Sequence, residues 1–270
     1  MGDWILSYLS DLLWWVILTV GVILLCGLTV ELCARLFSRL IGRGSGAVFD
    51  LTAVIGTPVH ELGHAAMCLL FGHRIERMRL WSPRAADGVY GFVEHSYNHR
   101  NPWSRLGNLF IGLGPIFSGL LVLWLMLRLC FPAPWASYLV TSRQMLAGAP
   151  SLRSLLEQSV SLLLGMLSAF RTDWIRSLIG LLVMLSVSLH VRLSWQDVKG
   201  SAGAFPLYLL LLSVAALITR LFGVREQVFL GLRLWSLHAL SFFILILTFS
   251  LLWILLAIVG FFLRRLFRVR

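Results

Sequence analysis

Residues 48–71 read Val48-Phe-Asp-Leu-Thr-Ala-Val-Ile-Gly-Thr-Pro-Val-His60-Glu61-Leu-Gly-His64-Ala-Ala-Met-Cys-Leu-Leu-Phe71. The run is long and apolar enough to cross roughly 30 Å of hydrocarbon as a helix, yet it holds His60, Glu61 and His64 near its middle. Ionisable groups are expensive inside a bilayer, so their default reading is functional. Their spacing names the chemistry. His60 and His64 are four residues apart, so both imidazoles leave one face of the helix and can hold one metal ion. Glu61 stands beside them, where it can take a proton from a metal-bound water. Metal-assisted hydrolysis, best known for peptide bonds, is the reaction this trio supports.

The rest of the chain supplies a membrane setting. Its 270 residues are 59% hydrophobic and 13% charged, with a mean hydropathy of +0.86, which excludes an ordinary soluble domain. Apolar windows of spanning length also occur at 13–37, 106–131, 174–191, 205–222 and 237–263, which with 48–71 makes about six transmembrane helices. The expected fold class is therefore an all-α polytopic membrane protein. Residues 151–170 are apolar but broken by Arg153, Glu157, Gln158 and several serines, the pattern of an interfacial amphipathic helix. No repeat or low-complexity linker is visible. Residues 1–270 thus read as a single membrane-embedded domain, with a core at about 48–200 and accessory helices in 1–47 and 201–270.

The net charge of +11 comes from 23 basic residues, Lys199 being the one lysine, against 12 acids. A nucleic-acid partner is not expected, because the arginines are scattered among loops and helix ends. That distribution suits lipid headgroups and topology signals. The densest cluster is the tail, Arg264, Arg265, Arg268 and Arg270, which places both termini on the inner side of what is expected to be a bacterial cytoplasmic membrane. Residues 1–11 lack the basic start of a cleavable signal peptide, so the first span is expected to be retained. Cys26, Cys33, Cys68 and Cys130 fall within spans at no metal-ligand spacing and read as small buried hydrophobes.

Polar features cluster around the motif. Residues 74–81 and 88–95 are short, β-branched and aromatic with partial alternation, and Ser82-Pro83 to Asp87-Gly88 between them carries turn residues, so a β-hairpin is expected just after the second span. Its positions Val89, Gly91 and Val93 are candidate substrate-binding residues, since a free strand edge can hydrogen-bond an extended peptide; a plain connecting hairpin is the alternative. Gly56 and Pro58 predict a kinked or opened helix lining a polar cavity. A catalytic zinc site wants a third protein ligand. Asp197, just beyond the fourth span, is favoured, because the second and fourth spans end on the same side. Glu94, His95, His99 and His190 compete, and His190 also suits a role beside a ligand. His73 reads as interfacial, and His238 stays unassigned.

Thr57-Pro58-Val59-His60-Glu61-Leu62-Gly63-His64-Ala65 in a spanning helix, a hairpin after it, and then Gly112-Leu-Gly114-Pro115-Ile-Phe-Ser118-Gly119 entering the third span resemble the site-2 protease family of intramembrane zinc metalloproteases. The resemblance covers about 48–200. It implies that His60 and His64 bind one zinc ion, that Glu61 is the general base, that Asp197 is the third ligand, and that Gly114 and Pro115 belong to a substrate-binding segment. Ser118 stands where that family usually has asparagine, Asp197 is followed by Val-Lys-Gly instead of Gly, and no PDZ-like insertion is present. The function implied is hydrolysis of a peptide bond in a membrane-anchored protein substrate. A non-catalytic metal-binding membrane scaffold, or a transporter-like protein, is the alternative, and the oligomeric state is not legible.

Overall fold

A computed structural model describes residues 2–42, 45–83, 89–147 and 151–267. The described chain is almost entirely helical. Helices α1 (Gly2–Val16) and α2 (Val22–Ile41) run into each other through a π-helical turn at Ile17–Gly21, so the first apolar window sits inside one long rod. The remaining elements are α3 (Ser45–Leu70), β1 (Arg74–Arg79), β2 (Phe92–Ser96), α4 (Pro102–Cys130), α5 (Pro132–Ala147), α6 (Leu152–Ala169), α7 (Trp174–His190), α8 (Trp195–Ala202), α9 (Phe205–Leu221) and α10 (Arg225–Phe267).

Among the described residues, Trp4–Ile41, Pro102–Cys130 and Arg225–Gly260 are long and apolar enough to cross a membrane, and the α7–α8 pair, bent by 59°, makes a fourth if its halves count as one span. These helices suit an integral membrane protein. Of the six windows, the two left over are α9, which has only 17 residues, and α3, whose apolar run is diluted by the His/Glu/His motif. Yet α3 has a lipid-like face: Leu51, Val54, Ile55, Leu62 and Leu69 are exposed along one stripe, at the spacing of one helix side.

Helix α4 is the hub. Thirteen of its residues are buried, and it packs against α3, α7 and α8. Gly63 and Gly114 face each other where α3 crosses α4: a Cβ on Gly114 would come within 2.9 Å of the His64 backbone nitrogen, and one on Gly63 within 2.5 Å of Ser118 Oγ. Small residues here let the two backbones touch. The central core draws on Ile23 and Val30 of α2, Leu113, Leu123 and Leu127 of α4, Met184 and Val187 of α7, and Leu245, Ile246 and Phe249 of α10. The helices expected to be accessory therefore share the core of the 48–200 segment.

Pro58 lies within α3 without ending it, so the expected opening of the helix is not seen; Pro58 removes a single donor and the α-helix continues through it. The helix stops where Gly72 adopts φ 69°, and the His73 N–H donates back to the Cys68 carbonyl at 2.8 Å, the closing bond of a Schellman turn. β1 and β2 then pair antiparallel, with Ile75 opposite His95 and Met78 opposite Val93 and an irregularity between Ile75 and Arg77. The expected hairpin is present; its turn at 84–88 lies outside the described residues. α6, capped by Ser151, buries Leu155, Gln158, Ser159, Leu162 and Met166. It pairs with α5, a helix that the sequence reading did not anticipate, through Gln158 donating to the Tyr138 carbonyl at 3.2 Å and to Ser142 at 2.6 Å.

One charged cluster ties the two ends of the chain together. Asp11 accepts from Arg220 Nε at 2.8 Å and from Arg225 Nε and Nη2 at 2.8 and 2.7 Å. Its side chain is 5% exposed, against 40% for Arg225. Removing one partner of a buried ion pair leaves an uncompensated charge, which costs about 3–5 kcal/mol when the burial is complete. Because Arg225 is partly solvated, Asp11→Asn is expected to lower stability by about 2 kcal/mol. Thermal unfolding of the detergent-solubilised protein measures this, with Glu157→Gln as a control: the Arg153–Glu157 pair is solvent-exposed, so its loss should leave the unfolding midpoint unchanged.

Candidate functional site

The motif on α3 faces inward, and each histidine is held by a backbone carbonyl of another helix. His60 Nδ1 donates to the His190 carbonyl at the end of α7, at 2.8 Å. His64 Nδ1 donates to the Ile111 carbonyl of α4, at 2.7 Å. A carbonyl only accepts, so both Nδ1 atoms carry the proton, and in the neutral imidazoles both Nε2 atoms present a lone pair. Those two Nε2 atoms lie 3.2 Å apart. Two lone pairs at that distance repel unless a proton or a metal ion stands between them.

Asp197 completes the group. The chain leaves α7 at His190, turns by 59°, and restarts as α8 in a capping box: Ser194 Oγ accepts from the Asp197 N–H at 3.1 Å, and Asp197 Oδ2 accepts from the Ser194 N–H at 2.8 Å. That exchange holds one carboxylate oxygen and leaves the other, Oδ1, aimed at His64 Nε2 at 3.4 Å. His60, His64 and Asp197 can each offer a ligand atom, all within 4.8 Å of one another. Zinc bonds of about 2.0–2.1 Å put tetrahedral ligand atoms about 3.3 Å apart. The separations of 3.2 and 3.4 Å are close to that edge, and the ring nitrogens opposite are tied to carbonyls, so these three side chains could hold a metal ion such as zinc.

A cavity of about 510 Å³ opens onto the group and is lined by Glu61, Val89, Gly91, Val93, Asn108 and Asp197 among others. Glu61 is 7% exposed. The segment before β2 crosses directly over it: a Cβ on Gly91 would lie 2.7 Å from Glu61 Cγ and 2.8 Å from Thr57 Cγ2. The Tyr90 hydroxyl donates to Asp50 at 2.7 Å, tying this segment to the start of α3. Burial and the Asp50 carboxylate push the Tyr90 phenol up to about 12, so it stays a donor at any physiological pH.

The other sequence candidates go elsewhere. Glu94 pairs with Arg77 at 2.7 Å across the hairpin. His99 packs against Tyr97, with ring centroids 4.3 Å apart. The His190 ring turns toward Thr52, 3.1 Å from its hydroxyl, so this residue reaches the site through its carbonyl and not its side chain. His95 lines the cavity but groups with Cys68 and His73; burial, and then the charges of His73 and His64, hold its pKa below the usual range. His73, expected at an interface, is only 3% exposed. Gly114 and Pro115 are buried in α4 at the crossing with α3, whereas Val89, Gly91 and Val93 face the cavity. The carbonyl acceptors on Ile111 and His190 carry no sequence signature. Ser194 does: Ser-x-x-Asp before a helix is a capping-box pattern.

No protein-family model, curated protein or solved structure matches the chain.

The placement of Asp197 depends on how closely α8 approaches α4. A Cβ on Gly112 would lie 2.6 Å from the Asp197 carbonyl oxygen and would strike Ser201 Oγ. Gly112→Ala is therefore expected to push α8 outward and cut metal retention at least tenfold. Gly200, also lining the cavity, has nothing within 4 Å of its Cβ position, so Gly200→Ala should retain metal as the wild type does. Equilibrium dialysis of both variants against zinc makes the comparison.

Proposed function

We propose that the protein is an intramembrane zinc metalloendopeptidase, a divergent member of the site-2 protease group, which hydrolyses a peptide bond in a membrane-anchored protein. The observation that carries this reading is the pair of Nε2 lone pairs on His60 and His64, both with Nδ1 tied to a carbonyl and both directed with Asp197 at one point.

His60, His64 and Asp197 would hold the ion. Zinc bound there supplies Lewis acidity, making water a stronger acid and polarising the scissile carbonyl. Glu61 takes the proton of the attacking water and delivers it to the leaving amine as the C–N bond breaks. The hairpin segment that lines the cavity at Val89, Gly91 and Val93 holds the substrate in the extended form that exposes its peptide bond. Six spans in a bacterial cytoplasmic membrane, with both termini inside, complete the reading. In it the cavity is the wet compartment that a hydrolase surrounded by lipid requires. A purely metal-binding scaffold has no use for a buried carboxylate beside the ligands.

Glu61→Gln keeps the shape but cannot accept a proton. It is expected to lower cleavage of a membrane-anchored substrate by about 10² to 10⁴-fold while zinc content stays at the wild-type value; Asp197→Ala should lose both. Zinc analysis and cleavage assays on the same purified samples test this, and undiminished cleavage by Glu61→Gln would remove Glu61 from the mechanism. Proline at Val89 and at Val93 tests the strand edge, which fails as an idea if both variants fold and cleave normally.

A further inference from the structure

Four residues beyond His64, the same α3 face reaches Cys68, and a second group of potential ligands gathers there. Cys68 is fully buried and His73 is 3% exposed. The sulfur of Cys68 and one ring nitrogen each of His73 and His95 lie within 4.8 Å of one another. Two features of the backbone bring them together. The Schellman turn at Gly72 folds His73 back over Cys68, with its N–H on the Cys68 carbonyl at 2.8 Å, and the pairing of Ile75 with His95 brings β2 alongside.

The hydrogen bonds then select a tautomer. His73 Nε2 lies 2.7 Å from the Ser104 carbonyl and must be the donor, so Nδ1 of a neutral His73 is a bare lone pair. That Nδ1 is 3.0 Å from His95 Nδ1. Tyr97 stacks on the His73 ring, centroids 4.6 Å apart, and fixes its plane. Zinc, with bonds of about 2.3 Å to sulfur and 2.0–2.1 Å to nitrogen, wants ligand atoms about 3.3–3.6 Å apart, within reach of small rotations of these side chains. His95 also lines the large cavity, which gives an ion a route in.

We propose that Cys68, His73 and His95 form a second metal site, for zinc or a similarly thiophilic divalent ion, which pins β2 to the end of α3 and so holds the hairpin over the cavity. Thiolate and imidazole together select such ions over magnesium or calcium. Binding releases the thiol proton to solvent and forms the sulfur–metal bond with no change of oxidation state. The site stands independently of the hydrolytic reading, since it needs neither Glu61 nor a substrate.

The His60/His64/Asp197 group contains no sulfur, so thiolate ligation reports the second site alone. The full-length protein, stripped with chelator in detergent and reloaded with cobalt(II), should show thiolate-to-cobalt charge-transfer absorption in the near ultraviolet. Cys68→Ser should abolish that absorption and lower bound zinc by one ion per chain, and His95→Ala should also release one zinc. His64→Ala should leave the sulfur band in place, which separates failure of this site from failure of the first. A wild-type spectrum without the band overturns the proposal without reference to any variant, as does a band that survives Cys68→Ser.

Discussion

Two hydrogen bonds from ring nitrogens to carbonyls, His60 to His190 and His64 to Ile111, are the constraint around which the described structure is arranged. A polar motif packed between helices must find partners within the protein, because an unpaired buried polar group costs about 1–3 kcal/mol. The helix carrying it must therefore be flanked by others whose backbones offer free acceptors at the right height. The end of α7 provides one: the His190 carbonyl has no partner within the helix and accepts from His60 at 2.8 Å as well as from the Arg192 N–H at 2.9 Å. Ile111 provides the other inside α4, three residues before the Gly114-Pro115 step; Pro115 has no N–H to return to that carbonyl. The proline that the resemblance assigned to substrate thus frees a lone pair for His64.

This requirement accounts for the close approaches. For α4 to bring a carbonyl within 2.7 Å of His64, its axis must lie almost against α3, which Gly63 and Gly114 allow. For α8 to present Asp197 at the same depth, it must abut α4 at Gly112. The bend of 59° between α7 and α8 serves the same end. A straight helix would carry Asp197 about 10 Å beyond His190, at 1.5 Å per residue, whereas the turn at 191–194 brings it back toward His64.

Much of this was legible in the sequence, and what was missed has physical causes. His60, Glu61 and His64 stood out because four-residue spacing is a property of the helix itself. Asp197 was favoured over its rivals, but how it approaches depends on a turn and a capping box that hydropathy does not register. The hairpin was visible in its alternation. α5 was hidden because Pro132, Pro134 and Arg143 give its stretch neither a spanning window nor a clear period. The continuity of α1 with α2 was hidden because Asp11 looks like the end of an apolar run until Arg220 and Arg225, over 200 residues away, are seen to neutralise it. Cys68 looked inert for a related reason: its neighbours His73 and His95 are joined to it by a glycine turn and a strand pairing, not by ligand spacing along the chain.

The hairpin connects the parts. Its incoming arm starts at His73, its outgoing arm passes Gly91 over Glu61 and carries His95 beside His73, and a two-stranded sheet alone is marginally stable. Something must hold it in register against α3. The Tyr90–Asp50 bond anchors it near the start of that helix, and the His73–His95 contact anchors it near the end. Between those anchors run Gly91, packed on Glu61, and the first residues of β2, which pair with β1 at Phe92 and Val93, so the position of this segment over Glu61 is set from both ends and by the sheet. Gly91 is where this arrangement is tightest: with no Cβ there, the backbone can lie against Glu61 and Thr57, so the hairpin covers the carboxylate with no side chain between them.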